Sequence, residues 1–208
     1  MSNNISFRDV LLKGAVLFNP VLVQLAGLCP VVAASTSLKN AAMLSVIAFA
    51  ELIVVCVVAS ALLKKIPRWV RMPIYLVIGL AFVCPILWYI ETQTLVNLSL
   101  GMKIYIPLIA INSVVAVHCE QFAVKNSVKN AFLDAVASGI GVSAIFLITG
   151  AFREILGKST FAGVSINLPV TLKGMALPFG CLILLGFLAA LLKSVVTKIF
   201  PQPEETEE

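Results

Sequence analysis

The sequence predicts an all-α integral membrane domain of six transmembrane helices, and three observations carry that prediction. Hydrophobic residues make up 60% of the 208 and charged residues only 12%, whereas a soluble domain is nearer half apolar and a quarter charged. The mean hydropathy is +1.05, more apolar surface than a water-soluble fold of this length hides, so the bilayer is the solvent. Finally, the apolar residues gather into six runs, each near the ~20 residues that a spanning helix needs.

The spans are expected at about 14–34, 40–63, 72–90, 104–123, 131–152 and 176–199. Residues 1–208 read as one transmembrane domain, with halves at about 14–90 and 104–199 and a polar, acidic tail at 201–208. The polar N-terminus and the absence of a small-residue cleavage pattern argue against a secretory signal peptide. The first run, Asn19-Pro20-Val21-Leu22-Val23-Gln24-Leu25-Ala26-Gly27-Leu28-Cys29-Pro30, carries two prolines, a glycine and two amides. Proline removes an amide donor and clashes with the preceding turn. Freed backbone at membrane depth survives only where protein or a cavity satisfies it. A broken or half-length helix is therefore expected, with Cys29 near the break; an ordinary proline kink is the simpler alternative. The fourth run is built alike, with Ile106-Pro107-Leu108-Ile109 followed by Asn112, Ser113, His118, Cys119 and Glu120. The longest connection, about 153–175, carries Ser159, Thr160, Gly163 and Pro169 and reads as a surface loop.

Charge sets the orientation. With six spans, one side holds Arg8, Lys13, Lys64, Lys65, Arg68, Arg71, Lys125, Lys129, Lys193 and Lys198, and the other Lys39, Lys103, Arg153, Lys158 and Lys173. Ten against five places both termini in the cytoplasm. The cluster at 64–71 reads as a topology signal before it reads as a docking site. The net charge of +5 sits in these short clusters and does not point to nucleic acid.

A short repeat is visible. Ser37-Leu38-Lys39-Asn40-Ala41 recurs as Ser127-Val128-Lys129-Asn130-Ala131, offset by 90 residues, each copy just before an apolar span. Three spans separate the copies, so they face opposite sides of the membrane, as in an inverted repeat. The same offset carries Cys29 onto Cys119.

The residues with chemical potential are few. Cys29, Cys56, Cys84, Cys119 and Cys181 show no metal-ligand spacing and no disulfide framework; most read as small buried hydrophobes. A cysteine used at a helix break in apolar surroundings would bind a soft metal such as iron. Glu51, in the middle of the second span, costs several kcal/mol unless paired, hydrated or protonated. It is a candidate for an ion path, with a neutral, helix-bonded carboxylic acid as the bland alternative. His118 reads as a membrane-edge polar residue, Asp134 as interfacial, and Arg153-Glu154 as an end-of-helix charge pair. The chain contains no nucleotide-binding glycine pattern, no flavin-attachment motif, no ferredoxin-type cysteine run and no paired histidines for haem, so it does no redox chemistry alone.

Several segments, in order over about residues 15–160, together resemble the RnfE/NqrD family, a branch shared with RnfA/NqrE. They are the 19–30 segment; Arg71-x-Pro73-Ile74-Tyr75; Ile106-Pro107-Leu108-Ile109-x-x-Asn112; Glu120-x-Phe122-Ala123; Leu133-Asp134; and Arg153-Glu154-Ile155-Leu156-Gly157. Pro20 and Gln24 favour the RnfE/NqrD branch. The resemblance implies six helices as an inverted 3+3 repeat, with the first and fourth spans half-helices meeting in a bacterial or archaeal cytoplasmic membrane. It implies a heterodimer with an RnfA/NqrE-like partner of opposite orientation. In the family, two cysteines from each partner hold one [2Fe–2S] centre, which passes electrons between flavin- and iron–sulfur-bearing subunits. The complex would be Rnf-type, between ferredoxin and NAD with Na⁺ or H⁺ movement, or Nqr-type, between NADH and quinone with Na⁺. One departure stands out: the family cysteine that follows the position of Asn112 is here Ser113. Either Cys29 and Ser113 serve the centre, or Cys119 takes over, or the centre is altered or absent. Cys119 lies roughly 600° around a helix and about 9 Å along it from Ser113. A secondary transporter or channel-like protein without a redox cofactor is the rival reading, since broken helices and a buried carboxylate also describe that class.

Overall fold

The computed structural model describes residues 27–34, 37–92, 100–161, 164–165 and 172–199. Seven helices carry the described chain: α1 (Leu28–Ala34), α2 (Leu38–Leu62), α3 (Arg68–Thr92), α4 (Leu100–Ala110), α5 (Ser113–Gln121), α6 (Val128–Lys158) and α7 (Pro178–Ile199). Among the described residues, four runs are long and apolar enough to cross a membrane: Leu38–Leu62, Arg68–Thr92, Met102–Lys125 and Val128–Gly157. Pro178–Ser194 is a shorter apolar helix. The first expected span is described only from Gly27 onward, so Asn19, Pro20 and Gln24 lie outside the described residues, as does the acidic tail.

Local chemistry explains the boundaries. Ser37 is extended and its hydroxyl accepts from the Asn40 amide at 3.4 Å, an N-cap for α2. α2 contains neither proline nor glycine and runs 25 residues without interruption. The Met102–Lys125 run breaks at Ile111–Asn112, shortly after Pro107. There the amides of Ile111 and Asn112 fold back onto the Leu108 and Ile109 carbonyls at 3.3 and 2.9 Å, tightening the last turn of α4. Asn112 then accepts from the Val114 amide at 3.3 Å and caps α5. The fourth span is broken where its sequence says it should be.

α2 and α6 make the most extensive helix pair. A Cβ on Gly150 of α6 would stand 2.6 Å from the Ala41 Cβ of α2, so glycine is what allows the two backbones to approach. The interior divides into two apolar clusters. One gathers Leu44, Ile47, Val83, Ile106, Ile109 and Phe146; the other gathers Leu52, Val55, Tyr75, Val115, Cys119 and Ala135. The seam between them crosses α2 at 48–51, α3 near Gly79 and the α4–α5 break. Outside, α3 exposes Trp69 at 85% and Trp88 at 68%. Those rings lie about 28 Å apart along the helix, which places one at each edge of a ~30 Å hydrocarbon layer.

Two expectations change. The 153–175 segment is not wholly a loop: α6 continues to Lys158, Thr160–Phe161 pairs antiparallel with Val164–Ser165, and a 3-10 turn covers Lys173–Ala176. Arg153 and Glu154 are not an end-of-helix pair at the surface; they are 2% and 3% exposed and reach across to other elements. Asp134 and His118 are both buried within the protein, against each other.

Candidate functional site

The site forms where two short helices begin. Gly27 has φ +71 and opens α1, in the left-handed region that glycine adopts without penalty. Its amide donates to the Ser113 hydroxyl of α5 at 3.0 Å, 86 residues along the chain. A Cβ at Gly27 would stand 2.4 Å from the Val114 Cγ2 and 2.7 Å from the Asn112 Oδ1. Both the dihedral and the crowding therefore demand glycine. Asn112, 8% exposed, fixes the first turn of α5 and so the position of Ser113. Two residues beyond Gly27, Cys29 is exposed, and Ser113 is exposed as well.

Cys119 goes elsewhere. It is fully buried, and its Sγ lies 3.6 Å from the Sγ of Cys56 in α2. The repeat explains the difference. The long helices α2 and α6 begin 90 residues apart, Leu38 and Val128, but the short helices α1 and α5 begin 85 apart, Leu28 and Ser113. The 90-residue offset that carries Cys29 to Cys119 holds for the long helices only. Of the remaining cysteines, Cys181 is buried and Cys84 exposed.

Around this meeting point lie polar groups that the sequence singles out without joining. The His118 Nε2 and the Asp134 Oδ2 are 2.7 Å apart, a buried pair. Glu120 accepts from the Tyr75 hydroxyl at 2.8 Å and pairs with the Arg71 Nε at 3.3 Å, with the Arg68 Nε at 3.7 Å. Arg71 in the basic 64–71 cluster therefore has a specific partner. Arg153 donates through Nη1 to the Val32 carbonyl of α1 at 2.7 Å and through Nε to the Met175 carbonyl at 3.0 Å. Its neighbour Glu154 accepts from the Leu38 amide that opens α2. A cation at the end of α1 and an anion at the start of α2 both complement the helix dipoles. Periodicity places these residues on helices, but no signal in the sequence announces the contacts.

Glu51 is fully buried, and among the described residues neither carboxylate oxygen has a hydrogen-bond partner. It sits at the seam between the two apolar clusters. Its Oε1 faces Gly79 of α3, where a Cβ would stand 2.8 Å from Oε1 and 3.1 Å from the Ala110 carbonyl oxygen.

Among the described residues, no three His, Cys, Asp or Glu side chains converge to hold a metal ion. A soft thiol at Cys29 and a hydroxyl at Ser113 fit part of an iron ligand set. Such a set suits a centre that a second protein chain completes.

Residues 7–189 match the model of the Rnf-Nqr subunit membrane proteins. The chain is similar to the E component of the ion-translocating oxidoreductase complex of Shewanella loihica, 34% identical over 95% of this chain and 90% of that one. It is equally similar to the E component of the Na⁺-translocating ferredoxin:NAD⁺ oxidoreductase complex of Acetobacterium woodii, 34% identical over 90% of this chain and 96% of that one. The corresponding component of the Vibrio cholerae ion-translocating oxidoreductase complex is 34% identical over 95% of this chain and 90% of its own length.

Proposed function

The chain belongs to the Rnf-Nqr family of membrane subunits, and from that premise we propose that it serves an ion-translocating ferredoxin:NAD oxidoreductase complex as its E-type component. There it carries electrons across the cytoplasmic membrane through a [2Fe–2S] centre shared with an RnfA/NqrE-like partner of opposite orientation. The names of its relatives support the complex, and the positive-charge count supports cytoplasmic termini. The inverted 3+3 repeat belongs to the same reading, with α1–α2 and α5–α6 as its matching pairs.

The observation that carries the metal-centre reading is the Gly27–Ser113 hydrogen bond, which brings the cysteine-bearing turn of the first span to the break in the fourth. Cys29 and Ser113 would hold this chain's half of the centre; when bound, the centre supplies one-electron transfer. The rest of the work falls to the chain itself. Gly27 lets the two turns approach without a side chain between them. Asn112 caps α5 and orients the serine. Buried Val114 and Val115 keep water from the inner side. Arg153 anchors the far end of α1, so that Cys29 is presented from a fixed rod.

The test is iron content and electron paramagnetic resonance on the intact complex, comparing the unaltered protein with C29A, S113A and C119A. C29A is expected to lose the signal, S113A to lose or shift it, and C119A to keep it. An unchanged signal in C29A would sink the shared centre.

A further inference from the structure

We propose that Glu51 and the Ala110 carbonyl, brought together over Gly79, form a binding site for a sodium-sized monovalent cation at the middle of the membrane. The inference rests on the reading that the complex moves an ion, and it names where this chain would hold one.

Four observations converge. First, each contributing residue sits well inside its span: Glu51 within Leu38–Leu62, Gly79 within Arg68–Thr92, and Ala110 beside the break of Met102–Lys125. That is the depth at which broken-helix membrane proteins place coupling ions, using freed carbonyls and half-helix C-termini as ligands. Second, the Ala110 carbonyl loses its ordinary helix donor among the described residues. In an unbroken helix it would accept from the Val114 amide, but that amide donates to the Asn112 side chain instead. No described backbone amide outside α4 replaces it. The carbonyl also ends α4, where the helix dipole is negative and favours a cation. Third, the carboxylate oxygen and the carbonyl oxygen both pack close on Gly79, 2.8 and 3.1 Å from the place its Cβ would take, so only glycine lets the two acceptors converge there. Two acceptors brought together with no described donor between them favour a positive charge at the same place. Fourth, Glu51 is fully buried and both of its oxygens lack a partner among the described residues. A neutral carboxylic acid would be expected to close a hydrogen bond onto the nearest carbonyl, since a buried polar group left without a partner is costly. The site offers hard oxygen ligands only, which suits an alkali cation better than a soft metal; water completes the shell.

Membranes holding the whole complex are treated with a hydrophobic carbodiimide, which labels buried carboxyl groups, at fixed pH and ionic strength. Mass spectrometry then follows the Glu51 peptide. Sodium is expected to suppress the labelling of Glu51, while potassium and choline leave it. G79A, whose methyl group would push the two oxygens apart, should need about tenfold more sodium for the same protection, the change that weakening one contact gives. Equal protection by potassium, no protection by any cation, or no labelling of Glu51 overturns the site, the second outcome marking a proton position instead. Iron content is read on the same membranes. Intact iron with sodium-blind labelling defeats the cation site alone; sodium protection without iron defeats the shared centre alone.

Discussion

In α1–α2, three residues (35–37) separate the short helix from the long one; in α5–α6, six residues (122–127) do. Each long helix starts just after a serine, Ser37 or Ser127. The closures differ in kind. The first junction is held from outside by charge: Arg153 on the Val32 carbonyl and Glu154 on the Leu38 amide. The second is held mostly by neutral groups close at hand: the Asn126 side chain donates to the Phe122 carbonyl at 2.9 Å, and Ser60 to the Asn126 carbonyl at 2.9 Å. The first link, Ser35-Thr36-Ser37, caps α2 through Ser37 and gains charged groups from α6. The second bonds within itself through Asn126 and takes a neutral donor, Ser60, from α2.

Three substitutions bear on that contrast. Arg153→Met should be the most damaging, because it strips buried donors from the Val32, Met175 and Leu177 carbonyls. A loss of about 3 kcal/mol is expected, read as a lowered unfolding midpoint in detergent; a mild effect would break the claim that the first junction depends on borrowed charge. Gly27→Ala comes next. Its left-handed φ costs an alanine about 1–2 kcal/mol, and the Val114 and Asn112 contacts force α1 away from α5. The expected outcome is a lowered midpoint together with lost iron; full iron in Gly27→Ala would show that the close approach of the two turns is dispensable. Ser60→Ala should be the smallest, about 1 kcal/mol, since Asn126 keeps its own bond to Phe122. A cost as large as that of Arg153→Met would erase the distinction between the two junctions.

The second to fifth expected spans are legible in the sequence because lipid imposes a length and a composition on them. The start of α2 within two residues of its expected position, and the break at Ile111–Asn112, follow from apolar runs, Pro107 and an amide in hydrocarbon. The pairing of Ser113 rather than Cys119 with the Cys29 turn is not readable from the repeat. A fixed offset assumes equal helices and equal links, and here α5 is two residues longer than α1 and its link three residues longer. Arg153 and Glu154 read as a terminal charge pair because one-dimensional position says nothing about what a backbone group 121 residues away needs. The contact of Cys56 with Cys119 spans 63 residues and two helices. Glu51 is visible as an anomaly, but the glycine and carbonyl facing it come from separate spans and only the fold assembles them.

Adjacency of Arg153 and Glu154 along one helix has a mechanical meaning. The rod that presents Cys29 and the span that follows it are pinned to consecutive positions of α6, so neither can swing independently. A displacement of the thiol turn must twist α6 or tear an ionic tether, and α6 is also the helix that packs most extensively on the span bearing Glu51. The tip and the buried carboxylate are in this way geared to one shaft.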